Sequence, residues 1–151
     1  MINVAIVGAS GYAALELVKI LLRHPSARIT VATSRQEESP RLDVLHPSLA
    51  SRIDLECEPF HAESLAERAS VAFLALPHTA SFAVTPLLRK RGVRVIDLSA
   101  DYRLKDAQIY ADWYNHEHTD REGLREAIYG LPELYRESIP AASLIANPGC
   151  Y

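Results

Sequence analysis

The stretch Ile2-Asn3-Val4-Ala5-Ile6-Val7-Gly8-Ala9-Ser10-Gly11-Tyr12-Ala13-Ala14 decides the fold. Residues 2–7 are a short β-branched run ending at Gly8, the pattern of a strand buried on both faces. Apolar residues then recur at helical spacing (Ala14, Leu15, Leu17, Val18, Leu21, Leu22) until Pro25 stops them. The glycine-rich turn therefore joins a strand to a helix, where dinucleotide-binding folds place a phosphate. Gly8 allows the tight turn, Gly11 lets the main chain approach a pyrophosphate, and the first free N–H groups of the helix, from Tyr12 on, point at the anion. Ser10 adds a hydroxyl donor, and Ala14 stands where the fingerprint has its third glycine. An ordinary tight turn is the competing reading.

Outward from this unit the alternation continues. Residues 28–33 predict a second strand, which closes a βαβ unit with parallel strands and a right-handed crossover. Residues 34–48 read as a polar loop. Strands are then expected at 54–58, 71–76, 93–98 and 143–146, and helices at 62–69 and 79–91. Between residues 100 and 142 the pattern is less regular, with helical pieces at 106–114 and 121–127 and a Pro-bounded turn at 132–137. The predicted class is α/β, a Rossmann-type doubly wound, mostly parallel sheet with helices on both faces. Residues 1–151 are read as one NAD(P)-binding domain.

Composition narrows the function. The chain has 151 residues, and its 16 Lys+Arg against 19 Asp+Glu leave a formal charge of −3, so nothing suggests a surface built to neutralise a phosphate backbone and no nucleic-acid partner is expected. Its apolar content of 48% predicts a folded core rather than disorder. The longest apolar run, residues 71–76, falls far short of the roughly 18 residues of a membrane helix, so no membrane partner is expected. The N-terminus lacks the pattern of a secretory signal. Two cysteines, Cys57 and Cys150, make neither a disulfide scaffold nor a metal knuckle. A soluble cytoplasmic protein is expected.

Two further places carry chemistry. The second strand ends in Thr33-Ser34-Arg35, where an NAD-binding fold would usually have an acid. Arg35 with the Ser34 hydroxyl suits a 2′-phosphate and points to NADP(H); the alternative is a solvated arginine paired with Glu37 or Glu38. Cys150 follows Asn147-Pro148-Gly149 at the carboxyl end of the last predicted strand, the edge where this architecture binds ligands. It is either an activated nucleophile or an inert small hydrophobe. Cys57, flanked by Glu56 and Glu58, is read as inert.

Taken together, VAIVGASGY (4–12), ALPH (75–78), VIDLSADYRL (95–104), YGLPEL (129–134) and ANPGCY (146–151) resemble the N-terminal part of the N-acetyl-γ-glutamyl-phosphate reductase family, across essentially the whole chain. The resemblance implies an NADPH-dependent oxidoreductase of arginine biosynthesis that turns an acyl phosphate into an aldehyde and inorganic phosphate. Cys150 would attack the acyl phosphate, and hydride transfer would reduce the resulting thioester. Gly8, Ser10, Gly11 and Tyr12 would hold the pyrophosphate, Ser34 and Arg35 the adenosine ribose phosphate, and Pro77 and His78 would border the nicotinamide. Ser99, Arg103 and Asn147 would serve the substrate, with Arg103 meeting its phosphate and Asn147 near the oxyanion. An ion pair between Asp101 and Arg103 that merely fixes their loop is the competing reading.

The resemblance also implies a homo-oligomer when complete, and a second domain with a catalytic histidine that these residues do not contain, so this stretch alone is expected not to turn over. Ala13 and Ala14 replace a hydroxyl and a glycine of the usual turn, which predicts weaker cofactor binding. Alternatives are a reductase of another acyl phosphate (carrier-linked aminoadipyl or glutamyl phosphate, or aspartyl phosphate) and a non-catalytic NADP-binding module. No metal is expected: His116-Glu117-His118 reads as a solvated polar stretch, since adjacent positions do not converge on one ion. Arg89, Lys90, Arg91 and Arg94 read as cations suited to a helix C-terminus. Tyr102, Tyr110, Trp113, Tyr114 and Tyr129 read as packing.

Overall fold

β1 (Ile2–Val7) is a strand with residues 4–7 all buried, as a parallel sheet covered on both faces requires. The computed structural model describes residues 1–36 and 39–150. They fall into two compact units, Met1–Ala75 and Leu76–Tyr151.

In the first unit β1 pairs in parallel with β2 (Ala27–Thr33), which pairs with β3 (Cys57–Glu58), and on its other side with β4 (Val71–Leu74). The order is β3-β2-β1-β4. Between β1 and β2 runs α1 (Tyr12–Leu21), which buries Ala14, Val18 and Leu21, the apolar stripe that its spacing predicts. The predicted polar loop at 34–48 is corrected here. It contains α2 (Leu42–Leu45) and a 3₁₀ turn at Pro47–Leu49, and Leu42 and Leu49 are fully buried with Val4, Ile6 and Cys57. Leu42, Leu45 and Leu49 do have helical spacing, but Pro47 interrupts it, so the pattern is hidden. Burying each of those two leucines contributes about 1.5–3 kcal/mol and fastens the segment to the core. α3 (Ala62–Arg68) then leads to β4.

In the second unit α4 (Ser81–Arg89) precedes β5 (Arg94–Asp97). α5 (Ala107–Tyr114) starts at Asp106, whose carboxylate accepts from the N–H groups of Gln108 and Ile109, and ends at Asn115 in the left-handed region. α6 (Arg121–Glu126) is capped by Asp120. β6 (Ile128–Tyr129), unforeseen because two residues carry no period, pairs in parallel with β7 (Leu144–Ala146), whose other neighbour is β5. The order is β5-β7-β6. Where a turn is expected at 132–137, α7 (Pro132–Tyr135) makes one helical turn, and a 3₁₀ turn follows at Ile139–Ala141. The seven strands, all paired in parallel, and their alternation with helices make this a doubly wound, Rossmann-type fold. Among the described residues no helix is long and apolar enough to cross a membrane.

Candidate active site

In the first unit Gly8 takes φ 89°, a conformation that a β-carbon penalises. This turns the chain so that the N–H groups of Gly8 and Ala9 both donate to the Thr33 carbonyl, at 3.2 and 2.8 Å. Ala9 is fully buried, whereas Ser10, Gly11 and Tyr12 are exposed. Gly11 is the N-cap of α1 and offers no side-chain cap; no atom lies within 4 Å of where its β-carbon would stand. Among the described residues the N–H groups of Ser10 and Gly11 meet no protein acceptor. Open space beside unpaired donors at a helix start is what a pyrophosphate requires, so the turn fits a nicotinamide dinucleotide.

At the end of β2, Ser34 is nearly buried: its N–H donates to Glu58 and its hydroxyl accepts from the Gln36 N–H at 3.2 Å. Arg35 is exposed beside it. Its alternative partners, Glu37 and Glu38, lie outside the described residues. Sequence reasoning misses one residue of this region. His46, 6% exposed, donates from Nε2 to the Ala9 carbonyl at 2.7 Å.

The second unit builds its site on a buried polar network. Asp97, at the end of β5, accepts from the Ser81 hydroxyl at 2.7 Å and from both the N–H and the hydroxyl of Ser99. Burial raises its carboxyl above the ordinary range, while the serine hydrogen bonds pull the other way. The Ser99 hydroxyl also accepts from the Asp101 N–H, so Ser99 is turned inward and holds the loop. Asp101 is fully buried and accepts from the N–H groups of Thr79 and Ser81 at 2.9 and 3.0 Å and from the Tyr110 hydroxyl at 2.8 Å. Thr79 has φ 70°, a strained geometry for a β-branched residue. Asp101 therefore clamps the loop that carries Pro77 and His78, and His78 Nδ1 accepts from the Ala100 N–H at 3.2 Å.

Three expectations are corrected here. Asp101 and Arg103 form no ion pair: Arg103 donates through Nε to the Asn147 carbonyl and through Nη2 to the Leu98 carbonyl, each at 2.8 Å. His118 is not solvated: it is fully buried among Phe82, Tyr102 and Tyr110 and donates from Nε2 to the Asp101 carbonyl at 2.7 Å. Desolvation lowers its pKa, and its Nδ1 has no hydrogen-bond partner among the described residues. Trp113 does not pack inward but is 78% exposed, unlike Tyr102 and Tyr110, which are buried.

Cys150 is exposed, and Cys57 is buried. Burial, rather than the flanking acids, pushes the Cys57 thiol up to about 11. The Asn147 N–H extends the β5–β7 ladder by donating to the Asp97 carbonyl at 2.8 Å, while its side-chain amide donates to Pro148. Gly130 donates to the Ala146 carbonyl, and a β-carbon there would stand 2.7 Å from Ile145 Cγ2, so the glycine permits the close approach. A cavity of about 550 Å³ opens against Gly149. Arg103, Lys105, Tyr114, Tyr129 and Tyr135 line it. The structure thus ties Arg103 to Asn147, three residues before the exposed Cys150.

Comparison with known proteins adds the following. A family model described as "Semialdehyde dehydrogenase, NAD binding domain" matches residues 3–142. The chain is 52% identical over all 151 residues to N-acetyl-gamma-glutamyl-phosphate reductase of Geotalea daltonii and 49% identical to that of Pelobacter propionicus. It covers 43% of the length of each. Among solved structures, aspartate semialdehyde dehydrogenase II of Vibrio cholerae, complexed with ASA, matches 99% of this chain and 42% of that one with a TM-score of 0.67 at 20% identity, a likeness of fold.

Proposed function

The chain belongs to the semialdehyde dehydrogenase NAD-binding domain family, and from that premise we propose that it forms the cofactor-binding, nucleophile-bearing part of an N-acetyl-γ-glutamyl-phosphate reductase. The observation that carries this is the exposed Cys150 on a turn to which Arg103 is hydrogen-bonded, in a chain whose relatives near 50% identity bear that name.

A nicotinamide cofactor belongs to this family; the finer choice is NADP(H), supported by Arg35 at the end of β2. Ser10, Gly11 and Tyr12 would hold its pyrophosphate, Ser34 and Arg35 its ribose phosphate, and Pro77 and His78 would border its nicotinamide. When bound, it supplies the hydride. The Cys150 sulfur attacks the acyl carbon, a carbon–sulfur bond forms, and the carbon–oxygen bond to phosphate breaks with its electron pair leaving on inorganic phosphate. Arg103, whose Nη1 is committed to neither carbonyl contact, meets that departing charge. Main-chain N–H groups around Cys150 stabilise the oxyanion. After reduction the thiohemiacetal collapses to the semialdehyde and returns the thiolate. Small acyl phosphates are the partners, in the cytoplasm and in arginine biosynthesis. Homo-oligomerisation and proton return to the substrate are assigned to the relatives' remaining length.

The test is phosphate-dependent NADP reduction by the full-length product with N-acetylglutamate semialdehyde, beside aspartate semialdehyde and a Cys150→Ser variant. Activity with the first aldehyde alone, abolished in Cys150→Ser, is expected. Activity with aspartate semialdehyde alone overturns the substrate.

A further inference from the structure

We propose that His46 is a positioning residue for the cofactor turn, which fixes the Ala9–Ser10 peptide so that the Ser10 N–H faces the pyrophosphate. The proposal rests on the dinucleotide reading of the turn and adds a residue that the glycine fingerprint does not contain. Four observations carry it. The imidazole is 6% exposed and its Nε2 lies 2.7 Å from the Ala9 oxygen. A carbonyl only accepts, so Nε2 bears the proton. The imidazole is set by the core, because Leu42 and Leu49 on either side of His46 are fully buried. Ala9 is itself fully buried, and its N–H is taken by Thr33 at 2.8 Å, so both polar groups of this residue are fastened from inside the unit. The Ser10 N–H, by contrast, meets no acceptor among the described residues.

The geometry follows from the peptide bond. A planar trans peptide points its C=O and its N–H in opposite directions. Once His46 draws the Ala9 carbonyl inward, the Ser10 N–H of the same plane must face outward, next to the Gly11 N–H and the start of α1. Without His46 the buried carbonyl would lack a donor, and the plane would rotate to find one, taking the Ser10 donor away from the anion. The same bond ties the junction of α2 and the 3₁₀ turn to the phosphate turn, beside the leucines that bury the segment.

The experiment compares ligands with and without a pyrophosphate on the full-length protein, by calorimetric titration. NADPH contains the group, and 2′-AMP does not. His46→Leu and His46→Asn, whose shorter amide does not reach Ala9, are expected to weaken NADPH about tenfold or more, the effect of losing one hydrogen bond to an anion, and to leave 2′-AMP within about twofold. His46→Gln places an amide nitrogen near the Nε2 position and is expected to restore NADPH binding to within about threefold. Equal weakening of NADPH and 2′-AMP, no weakening of either, or a Gln variant as weak as Asn overturns the proposal. If Leu fails to fold, the Asn and Gln pair decides. Failure of the unaltered protein to bind NADPH overturns the cofactor reading instead, and a matched pair of NADH and adenosine shows whether only the choice of dinucleotide is at fault.

Discussion

Arg103 donates through Nε to the carbonyl of Asn147 at 2.8 Å, so the loop after β5 and the turn that presents Cys150 are held as one piece. One guanidinium thus joins two loops through the Asn147 and Leu98 carbonyls and leaves Nη1 for the phosphate that the proposed reaction releases. Arg103→Met is expected to lower kcat/KM for the acyl phosphate by about 10- to 100-fold, the loss of a charged hydrogen bond of about 1.5–3 kcal/mol. Arg103→Lys, a point charge without the fork, is expected to recover little of it. Steady-state kinetics against phosphate concentration check both.

Asp101 gathers two N–H groups and a hydroxyl while fully buried. Replacing it by Asn puts an amide nitrogen against donors. Asp101→Asn is expected to cost about 2–3 kcal/mol, read as a fall of about 4–12 °C in Tm for a chain of this size. It is also expected to raise KM for the cofactor, because the loop carrying His78 is released. A variant with unchanged Tm contradicts the clamp.

His118 supplies a pH dependence. Desolvation places its folded pKa below the ordinary 6.5, so the unfolded chain binds the extra proton more readily. Stability is therefore fully present above about pH 6.5 and is lost as the pH falls toward the folded value. Asp97, whose carboxyl is raised by burial, works in the opposite sense, since protonation as the pH falls relieves its buried charge. Comparison with His118→Gln, which keeps a donor for the Asp101 carbonyl but does not titrate, cancels the Asp97 contribution. The urea midpoint is expected to drop more in the unaltered protein than in His118→Gln between about pH 7.5 and about pH 5.5. Equal drops refute the assignment.

The two thiols are expected to separate cleanly. An aromatic disulfide reagent at neutral pH reacts first with Cys150, and Cys150→Ser removes that phase. Cys57, pushed up to about 11 and buried, reacts only as the chain unfolds.

Gly130 is expected to tolerate no side chain. A β-carbon 2.7 Å from Ile145 Cγ2 forces β6 away from β7, so Gly130→Ala is expected to cost about 1–3 kcal/mol and to disturb the turn that follows β7. Denaturant unfolding together with the rate of Cys150 labelling checks it.

The strand-turn-helix opening and the loop-end cysteine are legible in the sequence because each depends on local chemistry: a glycine at positive φ, a helical stripe, a proline-glycine turn. The remainder depends on partners far along the chain. Leu42, Leu45 and Leu49 have helical spacing, but Pro47 hides it, and only the core of β1 and β3 shows why they fold. His118 lies in a polar run, and nothing nearby in sequence foretells that Phe82 and Tyr102 enclose it. Ser99 and Arg103 share one motif, yet tertiary contacts turn the serine inward and the arginine toward the cavity. The motif names residues; only the fold assigns their directions.

β7 lies between β5 and β6, although it follows both in the chain. Val95 pairs with Leu144, so β5 waits through a long excursion before its neighbour arrives, and closing so large a loop is slow. Without β7 in place the chain lacks the Asn147–Asp97 and Arg103–Asn147 hydrogen bonds that hold the turn before Cys150. Pairing of β7 between its two neighbours is therefore what fixes the turn that precedes Cys150.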